Sequence, residues 1–217
     1  MRPAQRPGDV TLQGRFGRLE NLAPAHAASL WQAVQGHDHI WTYMPSYGPF
    51  ADATAFATWI ASRASLDDPR SYAILDNAGR ALGIAALMAI REKDRVVEVG
   101  HVVYAPALQR TPLATEAQYL LARYVFETLG YRRYEWKCDA LNAGSRRAAL
   151  RYGFIFEGIF RQHMIAKGHS RDTAWLSILD SEWPARKANF ERWLAPENFD
   201  AEDKQIASLS AMNGGAA

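Results

Sequence analysis

Apolar residues along the chain fall into short alternating runs and longer runs at helical spacing, and the boundaries between them predict the elements. Val10, Leu12, Phe16 and Leu19 mark a partly alternating run over Val10–Leu22 that predicts a first strand. Pro24 stands where a first helical turn tolerates it, and Ala27, Leu30, Trp31 and Val34 keep helical spacing until Gly36. A second helix follows the cap residue Asp52, carries Phe56, Trp59 and Ile60, and ends near Ser65. Ser71–Leu75 and Ala81–Arg91 predict a hairpin around the turn Asp76–Gly79. A second turn, Glu92–Asp94, leads to the most β-branched run, Val96–Tyr104, expected as a central strand with Glu98 and His101 on opposite faces.

The second half reads in the same way. Ala105–Ala114 is expected as a loop and Thr115–Leu129 as an amphipathic helix with Ala117, Leu120, Leu121, Tyr124 and Thr128 on one side, closed by Gly130. Tyr134, Trp136 and Cys138 share one face of a further strand. After a polar turn at Asp139–Leu141, a short basic helix begins at the cap Asn142 and stops at Gly153. Ile155–Lys167 and Thr173–Leu179 predict a long hairpin around Gly168, His169 and Ser170, and Pro184–Leu194 a last short helix. The predicted order is β-α-α-β-β-β-α-β-α-β-β. It implies an α/β fold with one mixed, largely antiparallel sheet and helices on both faces, not a doubly wound one. Residues 9–194 are expected as a single domain, between a loose arm at 1–8 and a polar, mobile tail at 195–217.

Composition narrows the function. Of the 217 residues 48% are apolar, enough for a proper core, and the net charge of +2 makes no demand for nucleic acid. The lone cysteine, Cys138, excludes an internal disulfide or a multi-cysteine zinc site and reads as a small core residue, so no metal is expected. The first ten residues hold no apolar leader segment, and no run is long enough to span a bilayer. A soluble, cytoplasmic protein is expected, without membrane partners. Trp183, Phe190 and Trp193 are expected either to seal the core or to form a homodimer face.

Two stretches carry candidate chemistry. His37–Phe50 places Trp41, Tyr43, Met44, Tyr47 and Phe50 on an irregular segment, either as a cap over the core or as the walls of an apolar substrate cleft. Asn142 and Ser145 put a carboxamide and a hydroxyl at a helix N-terminus, where an anionic or amide-rich ligand can dock.

The order of elements, the strand–loop–helix at Val96–Leu129, and Asn142-x-x-Ser145 followed by Gly153-Phe154 together resemble the GNAT superfamily of acetyl-CoA-dependent N-acetyltransferases, and most nearly its RimJ/RimL-like branch, over residues 9–182. The resemblance implies a pyrophosphate loop at Gln109, Arg110, Thr111, Pro112, Leu113 and Ala114. Pro112 stands where glycine is usual and lacks an N–H, leaving those of Leu113, Ala114 and Thr115 and the charge of Arg110. It implies that Asn142 contacts the pantetheine arm and that Ser145 lies near the thioester sulfur. The tyrosine many members use as an acid would fall at Ala149, with Tyr152 three residues late and off that face. Main chain at Val102, Val103 and Tyr104 would supply an oxyanion N–H. Candidate bases are Glu98, His101, His163 and Asp172, since the branch's base position is held by Met164.

The implied acceptor is a primary amine, either a protein N-terminus or a small molecule. The absence of a carboxylate cluster around Trp41–Phe50 favours a peptide terminus or a weakly charged amine. Pro112 and Met164 keep a second reading open, a non-catalytic acyl-CoA-binding or protein-interaction module on the same fold. A nucleic-acid groove on Arg146, Arg147 and Arg151 is disfavoured, because these face different directions and the aromatics lie elsewhere.

Overall fold

The computed structural model describes residues 2–202 and 204–214; Met1, Asp203 and 215–217 of the expected arm and tail lie outside the described residues. Eight strands form one sheet in the order β1-β2-β3-β4-β5-β6-β8-β7. They are β1 (Thr11–Gln13), β2 (Gly17–Asn21), β3 (Arg70–Asp76), β4 (Ala81–Arg91), β5 (Val96–Tyr104), β6 (Arg133–Asp139), β7 (Ile155–Ala166) and β8 (His169–Leu179). Every neighbouring pair is antiparallel except β5 and β6, which run parallel. The helices are α1 (Ala27–Val34), α2 (Ala53–Ala64), α3 (Pro112–Arg123), α4 (Ala143–Arg151), α5 (Trp183–Leu194) and α6 (Leu209–Met212). The mixed α/β architecture is the expected one. Among the described residues no helix is long and apolar enough to cross a membrane.

Several local expectations are corrected. The single strand at Val10–Leu22 is a hairpin, β1–β2, whose turn closes with the Gly14 N–H donating to the Gly17 carbonyl at 2.9 Å. The turn is caught from afar by Glu116 of α3, whose carboxylate accepts the N–H groups of Arg15 (2.6 Å) and Phe16 (2.8 Å). A partner a hundred residues away leaves no local signal. Helix α3 begins at Pro112 and not at Thr115, because proline fits the first helical position and Thr111 caps the turn by accepting the Ala114 N–H. The helix then runs into a π turn over Tyr124–Thr128. The β7–β8 hairpin turns on Lys167 and Gly168, at φ 48° and 81°, so β8 starts at His169, four residues before the expected Thr173. Two consecutive left-handed residues are what a two-residue hairpin turn requires.

The expectation about Glu98 and His101 fails for an instructive reason. Ile84 pairs with Val103, and Ala86 pairs with Gly100, so β5 carries one residue more than β4 across this interval. His101 absorbs the mismatch at φ 49°. This β-bulge shifts the alternation by one, and Glu98 and His101 face the same cavity.

The expected arm and tail are not separate from the domain. Ala4 and Gln5 donate to the carbonyls of Glu92 and Leu129 at 3.0 and 2.8 Å, and Ala4 is buried. Beyond α5, Asn198 is buried and binds the carbonyls of Trp193 (3.0 Å) and Ala207 (3.1 Å), folding the segment back so that Leu209 is fully buried. The polar composition that suggested a tail includes the buried amide that ties it down. Trp183, Phe190 and Trp193 seal the core, with Trp183 5.2 Å from Phe126 and Phe190 5.7 Å from Tyr119.

Candidate active site

The site follows from where one ladder ends. Strands β5 and β6 pair from Val96↔Arg133 to Val99↔Trp136 and then part, β5 continuing with β4 to Tyr104 and β6 with β8 to Asp139. The wedge between them opens into a cavity of about 1280 Å³. Between Gly100 and Tyr104 the β5 edge facing β6 has no partner strand, and that edge is where an oxyanion N–H was expected. Helices α3 and α4 both present their first turns to the cavity, through Thr111, Ala114 and Thr115 and through Asn142 and Ser145.

At α4, Asn142, which lines the cavity, accepts the Ser145 N–H on Oδ1 at 3.0 Å, capping the helix and leaving its amide nitrogen as a donor. Trp136 donates its indole N–H to Ser145 Oγ at 2.9 Å. A hydroxyl that accepts there is left to use its own hydrogen as a donor. Cys138 lies within hydrogen-bonding reach of Ser145, and its thiol is pushed up by burial. Tyr152 also lines the cavity, contrary to the expectation that it lies off that face. It stands seven residues after Ser145, two helical turns, and its ring lies 6.1 Å from that of Trp136. Burial raises its phenol above the ordinary tyrosine value.

At α3, Pro112 occupies a position whose N–H has no intrahelical role. Thr111 Oγ1 consumes the Ala114 N–H, while that of Leu113 makes no hydrogen bond among the described residues. The Leu113 and Val103 side chains are buried in the core, away from the cavity, so only their main chain faces ligand chemistry. Gln109 braces the loop by donating to the Tyr104 carbonyl at 2.9 Å. The Tyr104 hydroxyl is engaged as well, donating to the Ala114 carbonyl and accepting from Gln118. Val102 and Arg110 line the cavity, and Arg147 and Arg151 reach it from α4. Arg151 donates to Thr115 Oγ1 at 2.9 Å, which fixes a cation at the start of α3. Arg146 instead lies over the Phe156 ring at 5.6 Å.

At the other end of the cavity Glu98 is held by Lys137 at 2.7 Å, and Lys137 also reaches Glu135 at 2.9 Å. Burial raises the Glu98 carboxyl above its ordinary value, with Lys137 opposing. The His101 imidazole shares a 2.7 Å hydrogen bond between Nδ1 and the Tyr47 hydroxyl. Burial, with Arg63 nearby, lowers it to about 4, so it is neutral at neutral pH. His163 lines the cavity with Nδ1 2.9 Å from Thr173 Oγ1, and Met164 lies beside it. Asp172 is occupied elsewhere: it accepts the Gln162 N–H at 2.7 Å and pins a bulge in β7.

The aromatic segment divides between the two roles open to it. Tyr43 and Met44 line the cavity, with the Tyr43 hydroxyl donating to the Leu141 carbonyl at 3.2 Å. Trp41 does not line it. It is buried at the centre of a cluster, 5.3 Å from Phe50 and 5.9 Å from Trp59, because a ring this large is best satisfied inside a second core between α1, α2 and the sheet. Tyr47 stands behind His101, one layer out from the cavity. Lys167, at the hairpin tip, donates to the carbonyls of Trp41 (2.9 Å) and Gly48 (2.7 Å), tying this segment to the far edge of the sheet. The reading of the sequence missed Trp136 as a partner of Ser145, Lys137 as a partner of Glu98, and Lys167. For Trp136 the strand alternation with Cys138 was an available signal; for the lysines none was.

Among the described residues no three His, Cys, Asp or Glu side chains gather to hold a metal ion. The profile of the family described as the acetyltransferase (GNAT) domain matches residues 18–155. The fold is similar to that of a GCN5-related N-acetyltransferase from Brucella melitensis, at 44% identity and TM-score 0.96 over 99% of this chain and 98% of that one. It is also similar to a probable acetyltransferase of the GNAT family from Chromobacterium violaceum, at 42% identity and TM-score 0.80 over 85% and 93%. Among curated sequences, the uncharacterized N-acetyltransferase YoaA of Bacillus subtilis is 32% identical over 98 residues, 45% of this chain; the match spans about half, 55%, of that relative's length.

Proposed function

Because the chain belongs to the GNAT acetyltransferase family, we propose that it transfers acetyl from acetyl-CoA to a primary amine by direct attack within one ternary complex. The observation that carries this reading is the Ser145 hydroxyl, fixed by Trp136 at the opening between β5 and β6 with its hydrogen free to donate. The residues lining the cavity fit the cofactor. Unpaired cations at Arg110, Arg147 and Arg151 and the N-terminus of α3 suit its phosphates, and the Asn142 amide and the open β5 edge suit the amides of a pantetheine arm.

Acetyl-CoA supplies an activated thioester; the chain supplies position and proton handling. A neutral amine adds to the carbonyl carbon, and an N–H of the unpaired β5 edge takes the developing oxyanion. Glu98, whose carboxyl burial has raised toward the working range, receives the amine's surplus proton directly or through water. His101 is too weakly basic to hold that proton and instead orients the amine by hydrogen bonding. As the C–S bond breaks, Ser145 donates a proton to the departing thiolate and regains one from solvent. Tyr43 and Met44 wall the acceptor entrance. By its likeness to the RimJ/RimL-like branch, the acceptor is a protein N-terminus or another weakly charged amine.

The test is CoA release from acetyl-CoA with a panel of N-terminal peptides and small amines, comparing wild type with Ser145→Ala and Tyr152→Phe. Acceptor-dependent turnover that collapses in Ser145→Ala alone is expected. A collapse in Tyr152→Phe alone would hand the acid's role to the tyrosine, and no turnover with any acceptor would overturn the catalytic reading.

A further inference from the structure

The segment after α5, which the sequence presents as a polar tail, closes the cavity beside the unpaired arginines. Phe199, Lys204, Gln205 and Ser210 all line it. This wall is built and not draped. Trp193 donates its indole N–H to Gln205 Oε1 at 2.8 Å, which leaves the Gln205 amide nitrogen as a donor. Phe199 packs on Trp193 at 5.4 Å and on Phe16 at 6.1 Å. Asp200 accepts the Lys204 N–H at 2.8 Å and so fixes the turn that carries the lysine. Asn213 donates to the Arg151 carbonyl at 2.9 Å, and the Arg151 guanidinium lies 4.8 Å from the Trp193 ring, so the segment is joined to the cation at the start of α3. The match to the family profile ends at residue 155, ahead of this wall, which begins at Pro196.

We propose that the wall formed by Phe199, Lys204, Gln205 and Ser210 binds the adenosine end of the CoA co-substrate, with the Lys204 ammonium taking the ribose 3′-phosphate and Phe199 offering an apolar face to the adenine ring. The inference rests on the acetyl-CoA reading given above. Its chemistry differs from that of the pyrophosphate site. A terminal phosphomonoester carries up to two charges and suits a flexible point charge, whereas the internal diphosphate suits main-chain N–H groups and guanidinium forks. Ser210, whose hydroxyl makes no hydrogen bond among the described residues, is a further donor on the same wall.

The experiment measures the affinities of CoA and of dephospho-CoA, which lacks only the 3′-phosphate, for wild type, Lys204→Ala and Arg147→Ala. Wild type is expected to prefer CoA by roughly tenfold, the size of one charge-assisted contact. In Lys204→Ala the preference falls to near unity while dephospho-CoA binds as before. Lys204 is exposed, so its removal leaves the fold intact. Equal affinities in wild type, or a preference kept in Lys204→Ala and lost in Arg147→Ala, would overturn the assignment. If wild type binds neither ligand, the acetyl-CoA reading itself falls, an outcome distinct from the other two.

Discussion

At the proposed acceptor end of the cleft Lys137 lies between two carboxylates, 2.7 Å from Glu98 and 2.9 Å from Glu135; at the α3–α4 end Arg110, Arg147 and Arg151 form no ion pair among the described residues. Both ends contain cations, Arg151 partly buried and Arg110 and Arg147 exposed at one and Lys137 at the other, yet they are built for opposite purposes. The partly buried charge of Arg151, without an ion-pair partner, costs desolvation in the free protein, and an arriving anion offsets that cost. A lysine already shared by two carboxylates has little left to offer an anion, and its effect is to hold Glu98 ionised despite burial. The α3–α4 end therefore reads as a binding device for a polyanion, and the acceptor end as a proton-handling device for an almost neutral acceptor.

The largest effects should separate the two ends by kinetic signature. Ser145→Ala removes an interaction made only as the thiolate departs, so kcat should fall by roughly 10²-fold or more with little change in the KM for acetyl-CoA. Arg151→Ala should do the reverse, raising the KM for acetyl-CoA by about tenfold at nearly constant kcat. That KM penalty should shrink as ionic strength rises, since the wild-type contact is itself screened. Steady-state kinetics at two salt concentrations check both. If Arg151→Ala depresses kcat and leaves KM alone, the assignment of a binding end and a chemical end is wrong.

How much of this was legible in the sequence depends on the range of the interaction. Helix α4, with Asn142 as cap, Ser145 as its partner and Gly153 as stop at φ 89°, could be read residue by residue because every contact spans a few positions. The sheet's composition was legible for the same reason: hairpins and β-branched runs are local signals. What escaped were features fixed by distant partners. The β1–β2 turn depends on Glu116, the cavity-facing phase of His101 on a bulge against β4, and the packing of the C-terminal segment on Asn198 and Leu209. The sequence leaves two readings of Trp41 open because an aromatic on an irregular segment looks alike whether it walls a cleft or fills a core. Bulges recur here with a common device, a remote carboxylate accepting the freed N–H groups: Asp68 does this for Ala89 and Ile90, and Asp172 for Gln162. That device shows why Asp172, named as a candidate base, is taken up by structure.

Smaller effects sharpen the picture of the chemical end. Glu98 has a raised carboxyl and acts when deprotonated, so kcat/KM should rise with pH through its titration, and Glu98→Gln should flatten that limb while lowering the maximum. An acidic limb unchanged in Glu98→Gln would remove it as the base. His101 makes a prediction about stability instead. Its folded value of about 4 lies below the ordinary 6.5, so between these values the unfolded chain binds the proton and the folded chain does not. The contribution is fully present above about pH 6.5 and is lost as pH falls toward 4, a change of up to about 3 kcal/mol. Thermal melts across this window should show Tm falling less steeply for His101→Gln than for wild type.

The smallest expected effect tests whether the acceptor entrance is held from outside. Lys167 joins the hairpin tip to the carbonyls of Trp41 and Gly48, and it does so near the surface, where such contacts are worth about 1 kcal/mol or less in stability. Lys167→Met should therefore leave Tm within a few degrees of wild type. Its consequence should appear in the acceptor's KM, because Tyr43 and Met44 sit on the tethered segment between the two anchored carbonyls and Leu141. A few-fold rise in acceptor KM with an unchanged KM for acetyl-CoA is the expected result. Equal rises in both would mean that the hairpin tip stabilises the whole cleft, and that the two ends are mechanically one.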